Sequence, residues 1–277
     1  MKRHGDIFYK ICAMENLREA HRNARKDKLF YKEVKMVDQD PDKYLKEIQE
    51  MLLNDTYEVS EYTVSIINDK GKERELEKLP YFPDRIIQWA IMLQIEPIFM
   101  ETFCTHTCAS IKDRGISKAL DLLHGYLEDV PGTQYCLKID VRKFYPSIDH
   151  DILKQLLARK IKDQRLLSLL YKIVDSVPGT GVPIGSYLSQ YLANFYLAYF
   201  DHYLKEELHQ RYVVRYMDDI IILSDSKEQL HEVRRKMGEY LETRLNLVLK
   251  DNWQVFPVDV RGIDFIGFRC FHGYTLL

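Results

Sequence analysis

The sequence predicts an α+β fold in which an antiparallel sheet carries helices on one face. Three observations predict it: short runs rich in β-branched residues, longer segments with apolar residues at helical spacing, and the order in which the two alternate. From residue 134 onward that order is strand, helix, a further helical stretch, strand, strand, helix, strand. This is the split βαβ, or ferredoxin-like, arrangement.

The N-terminal part of the chain is predicted to be helical, followed by a β-hairpin. The polar segment before the hairpin shows helical spacing, and we expect surface helices there. Residues 62–67 and 72–79 are predicted strands joined by a tight turn at 68–71. Residues 86–100 then carry an apolar stripe at helical spacing, which predicts a helix.

The C-terminal half supplies the sheet. Its predicted elements are a strand at 135–139 ending at Asp140, a helix capped by Asp149, a Gly/Pro loop at 178–183, one long helix at 186–208, strands at 212–216 and 220–223, a helix after Ser226, and a β-rich stretch from 247. Ser226 and Gln229 form a capping-box pattern, which marks the start of that helix.

The topology brings distant carboxylates to one edge of the sheet. Asp140 ends the first strand, and Asp218 and Asp219 lie in the hairpin of an adjacent strand. Paired aspartates at a turn are common because Asp favours turns. Here, however, the flanking runs are too apolar for an exposed hairpin. Three such groups repel one another unless cations neutralise them, and Mg²⁺ prefers oxygen ligands. The sequence therefore predicts a two-metal site for phosphoryl transfer.

Composition excludes several other classes of protein. The chain has 277 residues, 46% hydrophobic and 30% charged, which excludes disordered and collagen-like chains. It contains no run of roughly 18 uncharged apolar residues, so we expect no membrane span. Five scattered cysteines indicate a reducing, cytoplasmic setting. The net charge of −2 is unusual for a nucleic-acid binder, which must then segregate its positive charge or use a basic partner.

One cysteine cluster raises the alternative of a zinc site. Cys104, His106 and Cys108 lie close together in the sequence, but a structural zinc site needs a fourth ligand and this spacing fits none of the usual pairs. The sequence therefore does not favour a zinc site here.

Several motifs resemble those of reverse transcriptases. Residues 215–220, Arg-Tyr-Met-Asp-Asp-Ile, resemble the YxDD signature of that family. Further resemblances, in family order, are residues 138–147 and 182–194 to two palm motifs, 262–267 to the primer-grip turn, and 72–74 and 83–88 to fingers motifs. The resemblance implies a right-hand polymerase with helical and β-hairpin fingers, a ferredoxin-like palm and a minimal or missing thumb. We expect fingers at 1–118, palm at 119–260, and primer-grip turn with the start of the thumb at 261–277.

The resemblance also implies roles for individual residues. Asp140 and Asp218 would ligate two Mg²⁺ ions, for which Mn²⁺ is an expected substitute, with the Val141 carbonyl as a further ligand and Asp219 as the supporting carboxylate. Tyr145 matches the aromatic gate that excludes a ribose 2′-hydroxyl. The residues expected at the nucleotide are Lys72, Arg74, Tyr145, Ile184, Gly185, Gln190 and Lys250. Those expected at template or primer are Arg85, Arg114, Tyr216, Met217, Phe265 and Gly267.

The subclass is indicated by two positions. Intron-type enzymes carry Gln-Gly and Ser-Pro where this chain has Ile184-Gly185 and Ser189-Gln190. This variant resembles the error-prone reverse transcriptases of diversity-generating retroelements, which carry out mutagenic retrohoming. It implies an RNA template, a DNA or RNA primer, deoxynucleotides and a small basic accessory protein oligomer. The alternative is an antiviral-defence enzyme, whose DNA is protein- or RNA-primed and can be untemplated. For either subclass we expect a cytoplasmic protein encoded by a prokaryote or a phage.

Overall fold

The chain divides into two compact units. The computed structural model describes residues 2–69, 72–183 and 186–277, with 67–69 and 72–76 described by their backbone alone. One unit consists of Met1–Glu101 and His150–Leu192, the other of Thr102–Asp149 and Ala193–Leu277. These are compact bodies rather than functional regions, so the division into fingers, palm and thumb stays a prediction.

The helices and strands of the described residues have the following bounds. The helices are α1 (Phe8–Cys12), α2 (Met14–Ala24), α3 (Lys32–Gln39), α4 (Pro41–Leu53), α5 (Ile86–Met100), α6 (Ile116–Leu127), α7 (His150–Lys160), α8 (Gln164–Asp175), α9 (Tyr187–Tyr196), α10 (Ala198–His202), α11 (Lys227–Leu245) and α12 (Val258–Arg261). The strands are β1 (Thr63–Asp69), β2 (Lys72–Lys78), β3 (Tyr135–Asp140), β4 (Tyr212–Tyr216), β5 (Asp219–Ser224), β6 (Gln254–Pro257), β7 (Ile263–Phe265), β8 (Phe268–Phe271) and β9 (Tyr274–Leu276).

The first unit follows the sequence prediction closely. Helices α1–α4 precede the antiparallel β1–β2 hairpin, in which Thr63 pairs with Lys78. Helix α5 has the predicted bounds and is apolar nearly all round, so most of it is buried and it packs against α2. The predicted turn at 68–71 is only partly described, because β1 continues through Asp69 and residues 70–71 lie outside the described residues.

The main sheet of the second unit has the predicted ferredoxin-like topology. Its strand order is β4-β5-β3-β6, and every neighbouring pair is antiparallel. Half of the predicted capping box forms at the start of α11: the Ser226 Oγ accepts a hydrogen bond from the Gln229 amide at 3.1 Å. The reciprocal bond is replaced, because the Ser226 amide donates to the Ser224 hydroxyl, and that hydroxyl donates to the Gln229 side chain. The central β5 is buried from Ile220 to Leu223. Both faces of the sheet are therefore covered, whereas the sequence placed helices on one face only.

The extra cover comes from elements before and after the sheet. Helix α6 and the small β7–β8–β9 sheet pack with alternate residues of the central strands, among them Val214 and Ile221. Helix α11 contacts β3, β5 and β6. Among the described residues, no helix is both long and apolar enough to cross a bilayer.

The long helix predicted at 186–208 is wrong in its length. Helix α9 ends at Tyr196, α10 occupies Ala198–His202, and a π-helical segment follows at Tyr203–Glu207. No proline or glycine marks this break, so the sequence gives no local signal for it. Tertiary contacts lie on both sides of it: the Tyr196 hydroxyl donates to the Leu245 carbonyl at 2.6 Å, and Asp201 is paired with Arg215.

Candidate active site

The structure brings the three predicted carboxylates together. In the register of β3 and β5, Asp140 is directly opposite Asp219. The Val141 amide donates to the Asp218 carbonyl at 3.3 Å, which ties the end of β3 to the turn between β4 and β5. Beyond the effect of burial, the Asp140 carboxylate is close enough to Asp218 for its charge to raise the pKa of the Asp218 carboxyl group. The acids therefore converge because β3 and β5 are neighbours in the sheet.

The electrostatics of this cluster disfavour full ionisation. Burial, with the Asp140 charge as the next cause, raises the pKa of Asp218 to about 7. Burial also raises the pKa of Asp219 to about 6, although the Lys138 ammonium group opposes that rise. Crowded carboxylates with raised pKa values are typical of sites that bind a cation or transfer a proton.

Two carboxylate oxygens suit a hard cation. The Oδ1 atoms of Asp140 and Asp219 are buried and have no hydrogen-bond donor. Buried polar atoms are normally paired, so atoms of this kind need an explanation, and oxygen donors are the ligands that Mg²⁺ prefers. Within the described ranges, no group of three or more His, Cys, Asp or Glu side chains is already gathered as a metal site. The metal assignment therefore stays a prediction, with a donor set that fits it.

Two lysines supply the positive charge at the carboxylates. Lys250 Nζ lies 2.5 Å from Asp140 Oδ2. Lys138 Nζ lies 3.8 Å from Asp219 Oδ2 and also donates to the Asp264 carbonyl. The sequence prediction gave no role to Lys138. The signal was available, because Lys138 and Asp140 are two residues apart on one strand and so share a face.

Tyr145 also lies at the carboxylates. It begins the 3₁₀ turn that follows β3 in the chain, and its hydroxyl is 3.7 Å from Met217 Sδ. Burial raises the pKa of Tyr145, and the charge of Asp218 adds to that rise. The structure therefore places the predicted sugar gate beside the carboxylates, and its role in selection stays a prediction.

The turn that carries Asp218 rests on a buried polar network that the sequence prediction missed. Met217 has φ +54°, a left-handed conformation that is uncommon for a residue other than glycine. Arg215 Nη1 donates to the Met217 carbonyl at 2.9 Å and to Asn194 Oδ1 at 3.0 Å. Its Nε and Nη2 donate to the Asp201 carboxylate at 2.8 and 2.6 Å. An arginine inside an otherwise apolar strand was the available signal.

The predicted primer-grip turn is a tight hairpin beside the site. The Tyr216 and Phe265 rings are 6.5 Å apart in an edge-to-face arrangement, and Phe265 is 1% exposed. Ile266 and Gly267, which join β7 to β8, have φ +47° and +94°. Two positive φ values are typical of the two-residue turns that join twisted strands.

Arg114 and Arg85 are engaged with backbone carbonyls. Arg114 Nη1 donates to the Cys104 carbonyl at 2.6 Å within the second unit. Arg85, in the first unit, donates to the Ala24 carbonyl at 3.1 Å and lines a cavity of about 340 Å³ with Lys28 and other residues. Neither contact tests a role at template or primer.

The remaining residues predicted to bind the nucleotide lie in the first unit or outside the description. Gln190 lies on α9 within the first unit. Lys72 and Arg74 lie on β2, but their side chains are outside the description, and Ile184 and Gly185 fall outside the described residues altogether. Their predicted contacts with the nucleotide stay predictions.

The candidate zinc cluster is packed into the second unit. Burial raises the pKa of Cys104 to about 12 and that of Cys108 to about 11, so both thiols stay protonated at neutral pH. His106 Nε2 lies 3.6 Å from Asp201 Oδ1. These residues pack around the Arg215 network.

Comparison with known proteins identifies the family. The family described as "Reverse transcriptase (RNA-dependent DNA polymerase)" matches residues 67–270. The chain belongs to this family. Among the relatives of this chain is Protein YkfC of Escherichia coli, to which it is 26% identical over 253 residues, which are 74% of this chain and 65% of that protein. It is 27% identical to the group II intron-encoded protein LtrA of Lactococcus lactis over 135 residues, 46% and 22% of the two chains.

Solved structures show the same fold. Apo telomerase from Candida tropicalis, truncated from its C-terminal domain, superposes with a TM-score of 0.55 at 13% identity, covering 79% of this chain and 55% of that chain. Telomerase from Candida albicans, solved with a fragment of telomeric RNA, gives a TM-score of 0.54 at 11% identity, covering 77% and 44%. The predicted right-hand polymerase fold is thereby confirmed. The chain spans less than two thirds of the length of the relatives named above.

Proposed function

We propose that this chain is an RNA-directed DNA polymerase that extends a primer by copying an RNA template. The observation that carries the proposal is the convergence of Asp140, Asp218 and Asp219 at the edge of the sheet, with two buried oxygens that lack a donor. Family membership supports the reaction class. The substrates are a primer 3′-hydroxyl and a base-paired deoxynucleoside triphosphate, and pyrophosphate is released.

The residues around the carboxylates would bind the metal ions and donate a proton in this reaction. Asp140, Asp218 and Asp219, with the Val141 carbonyl, would hold divalent cations, Mg²⁺ or Mn²⁺. When bound, such cations neutralise the charge that develops on phosphoryl oxygens. Lys250, whose Nζ lies next to Asp140, would donate a proton to the departing pyrophosphate, which requires its side chain to leave that carboxylate.

Other residues would select and orient the nucleotide. The Tyr145 ring, next to Met217, would fill the space that a 2′-hydroxyl needs. Lys72 and Arg74, on the fingers hairpin, would pair with the triphosphate, for which a guanidinium has the matching geometry.

Primer extension on an RNA template tests the proposal. We expect Asp218→Asn to lower metal-dependent incorporation by more than about 100-fold, because even the outer partners of a metal ligand are worth about 10- to 100-fold. Its melting temperature should not fall, since one of three crowded carboxylates is neutralised. Asp121→Asn, an exposed change on α6, is the matched control. Incorporation by Asp218→Asn at the control's rate would reject the assignment.

For the subclass, we propose the enzyme of a diversity-generating retroelement, acting with a small basic accessory oligomer. The support is the Ile184-Gly185 and Ser189-Gln190 variant of the palm motif. Since Ile184 replaces a polar side chain, restoring Gln there should lower misincorporation opposite template adenines. Sequencing of the products measures this rate. An unchanged error spectrum would count against the subclass, and untemplated products would favour the antiviral-defence alternative.

A further inference from the structure

Arg215 is a charged residue held entirely inside the protein. Its side chain is 0% exposed, as is that of its partner Asp201. Both edges of the Asp201 carboxylate accept from Arg215, and the Thr107 hydroxyl adds a hydrogen bond at 2.7 Å. Burial alone would raise the pKa of Asp201, but the charge of Arg215 holds it well below its ordinary range. The pair is therefore ionised and fixed in one orientation.

The same arginine is anchored through its backbone. The Arg215 amide donates to the His106 carbonyl at 2.9 Å, and the Cys108 amide donates to the Arg215 carbonyl at 2.9 Å. Together with the β4–β5 ladder, these bonds hold both sides of β4 at the residue from which the guanidinium projects. Its position relative to the turn is thus set by the fold.

A purely structural ion pair does not explain all of these contacts. Buried ion pairs often add little net stability compared with apolar replacements. Arg215 differs from a simple ion-pair partner in its third nitrogen, Nη1, which does not bind Asp201. This nitrogen donates to the Asn194 side chain on α9 and to the Met217 carbonyl. Met217 directly precedes Asp218 and has the left-handed backbone that turns the chain there. The Arg215 guanidinium group therefore links the fixed Asp201 carboxylate to the Met217–Asp218 peptide, which sets the direction of the Asp218 side chain.

We infer that Arg215, clamped by Asp201, is a positioning residue that fixes the Met217–Asp218 peptide and so the direction of the Asp218 carboxylate. The inference rests on the proposed function for its catalytic consequence, although the structural part stands without it. Only arginine has the planar fork that can bind the carboxylate with two groups and still donate to the Met217 carbonyl.

Arg215→Lys separates positioning from charge. Lysine keeps the positive charge beside Asp201 but cannot make all four hydrogen bonds. We expect kcat to fall by about 100-fold, as a small misplacement of a reacting group can cause, with little change in KM for the nucleotide. Mn²⁺ affinity without nucleotide should fall by about 10-fold. Amide hydrogen exchange should rise in a peptide covering 212–224. Arg211→Lys, whose side chain is 79% exposed, is the matched control.

A second variant covers the case in which Arg215→Lys does not fold. Arg215→Met combined with Asp201→Asn removes both buried charges and keeps an acceptor for Thr107. Its melting temperature should exceed that of Arg215→Met alone, because no buried charge is left unpaired. Its kcat and Mn²⁺ affinity should stay low, since the bond to the Met217 carbonyl is still missing.

The outcomes are distinct. The inference would be overturned if the double variant recovered kcat as well as stability. It would also be overturned if Arg215→Lys kept the Mn²⁺ affinity and hydrogen exchange of wild type. Arg215 would then be a structural residue only. If the wild-type chain incorporates no nucleotide, the proposed function fails. In that case Mn²⁺ affinity and hydrogen exchange still decide whether Arg215 positions the turn.

Discussion

Asp218 and Asp219 lie where their own charge is disfavoured. Burial raises the pKa of both, and the nearby Asp140 charge adds to the effect. Lys138 and Lys250 offset only part of this repulsion. A divalent cation would relieve it more completely, so the electrostatic strain of the cluster favours cation binding.

At the same scale, Tyr145 provides a test of sugar selection. Tyr145→Ala removes the ring beside Met217, so ribonucleotides should be incorporated about 10- to 100-fold better relative to deoxynucleotides, the range of size discrimination in a pocket. Paired primer-extension assays with the two nucleotide types measure the ratio. Tyr145→Phe keeps the ring and should keep the selectivity. Equal selectivity in the Ala and Phe variants would show that the ring is not the gate.

The buried Asp201 predicts how stability depends on acid pH. Because its pKa is held below the ordinary value, the unfolded chain binds a proton more readily than the folded one. Its stabilisation is present above about pH 4 and is lost as the pH falls further, by an amount of the order of 2 kcal/mol. Urea unfolding measures the free energy of unfolding at pH 5 and pH 3. Between these two pH values, this free energy should fall less for Asp201→Asn than for wild type. Asp121→Asn should follow wild type, and a parallel loss in all three would contradict the prediction.

At the scale of elements, the hairpin from β7 to β8 depends on two glycines for different reasons. Gly267 has φ +94°, but a Cβ there would meet no atom within 4 Å. Gly262 has φ +77°, and a Cβ there would lie 2.5 Å from Phe271 Cζ and 2.6 Å from Arg269 Cγ. Position 267 therefore needs glycine only for its backbone conformation, whereas position 262 also needs glycine because a larger side chain would not fit.

Alanine at each of these positions should separate the two effects. Gly267→Ala should lower the free energy of unfolding by about 1 kcal/mol from backbone strain alone. Gly262→Ala should lower it by a further ~1–3 kcal/mol, the usual effect of overpacking. Urea denaturation of both variants provides the comparison. A larger loss for Gly267→Ala would mean that the turn, rather than the packing against Phe271, limits this element.

At the scale of the whole molecule, the net charge of −2 bears on how a nucleic acid is held. Affinity for nucleic acid comes largely from neutralised phosphates and falls as salt rises. If a basic accessory oligomer supplies that charge, the chain alone should lose much less affinity for a template–primer duplex between 50 and 200 mM salt than the roughly 10³–10⁵-fold seen with six to ten phosphate contacts. Fluorescence anisotropy at the two salt concentrations measures this. A loss within that range would instead indicate positive charge segregated on this chain.

Elements with local signals were predicted well from the sequence. The helices at Ile86–Met100 and after Ser226 and the strands at 212–216 and 220–223 each form as predicted. Their signals, which are apolar periodicity, an N-cap serine and β-branched runs, depend on contacts within a few residues. The ferredoxin-like order followed from them because few topologies suit that sequence of elements. The break at Leu197 and the cover on the second face of the sheet could not be predicted, because they depend on partners far away in the chain.

The sequence by itself determined the family, the strand order and the three aspartates that this order brings together. It could do so because motif spacing and apolar periodicity are local properties that do not depend on exact packing. Only the tertiary structure decided that the Lys138 and Lys250 side chains lie next to the three aspartates. It also decided how the turn at Met217 is held and that Arg215 is buried together with Asp201. These features depend on where side chains distant in sequence end up relative to one another, and burial there turns ordinary charges into strong, directed interactions.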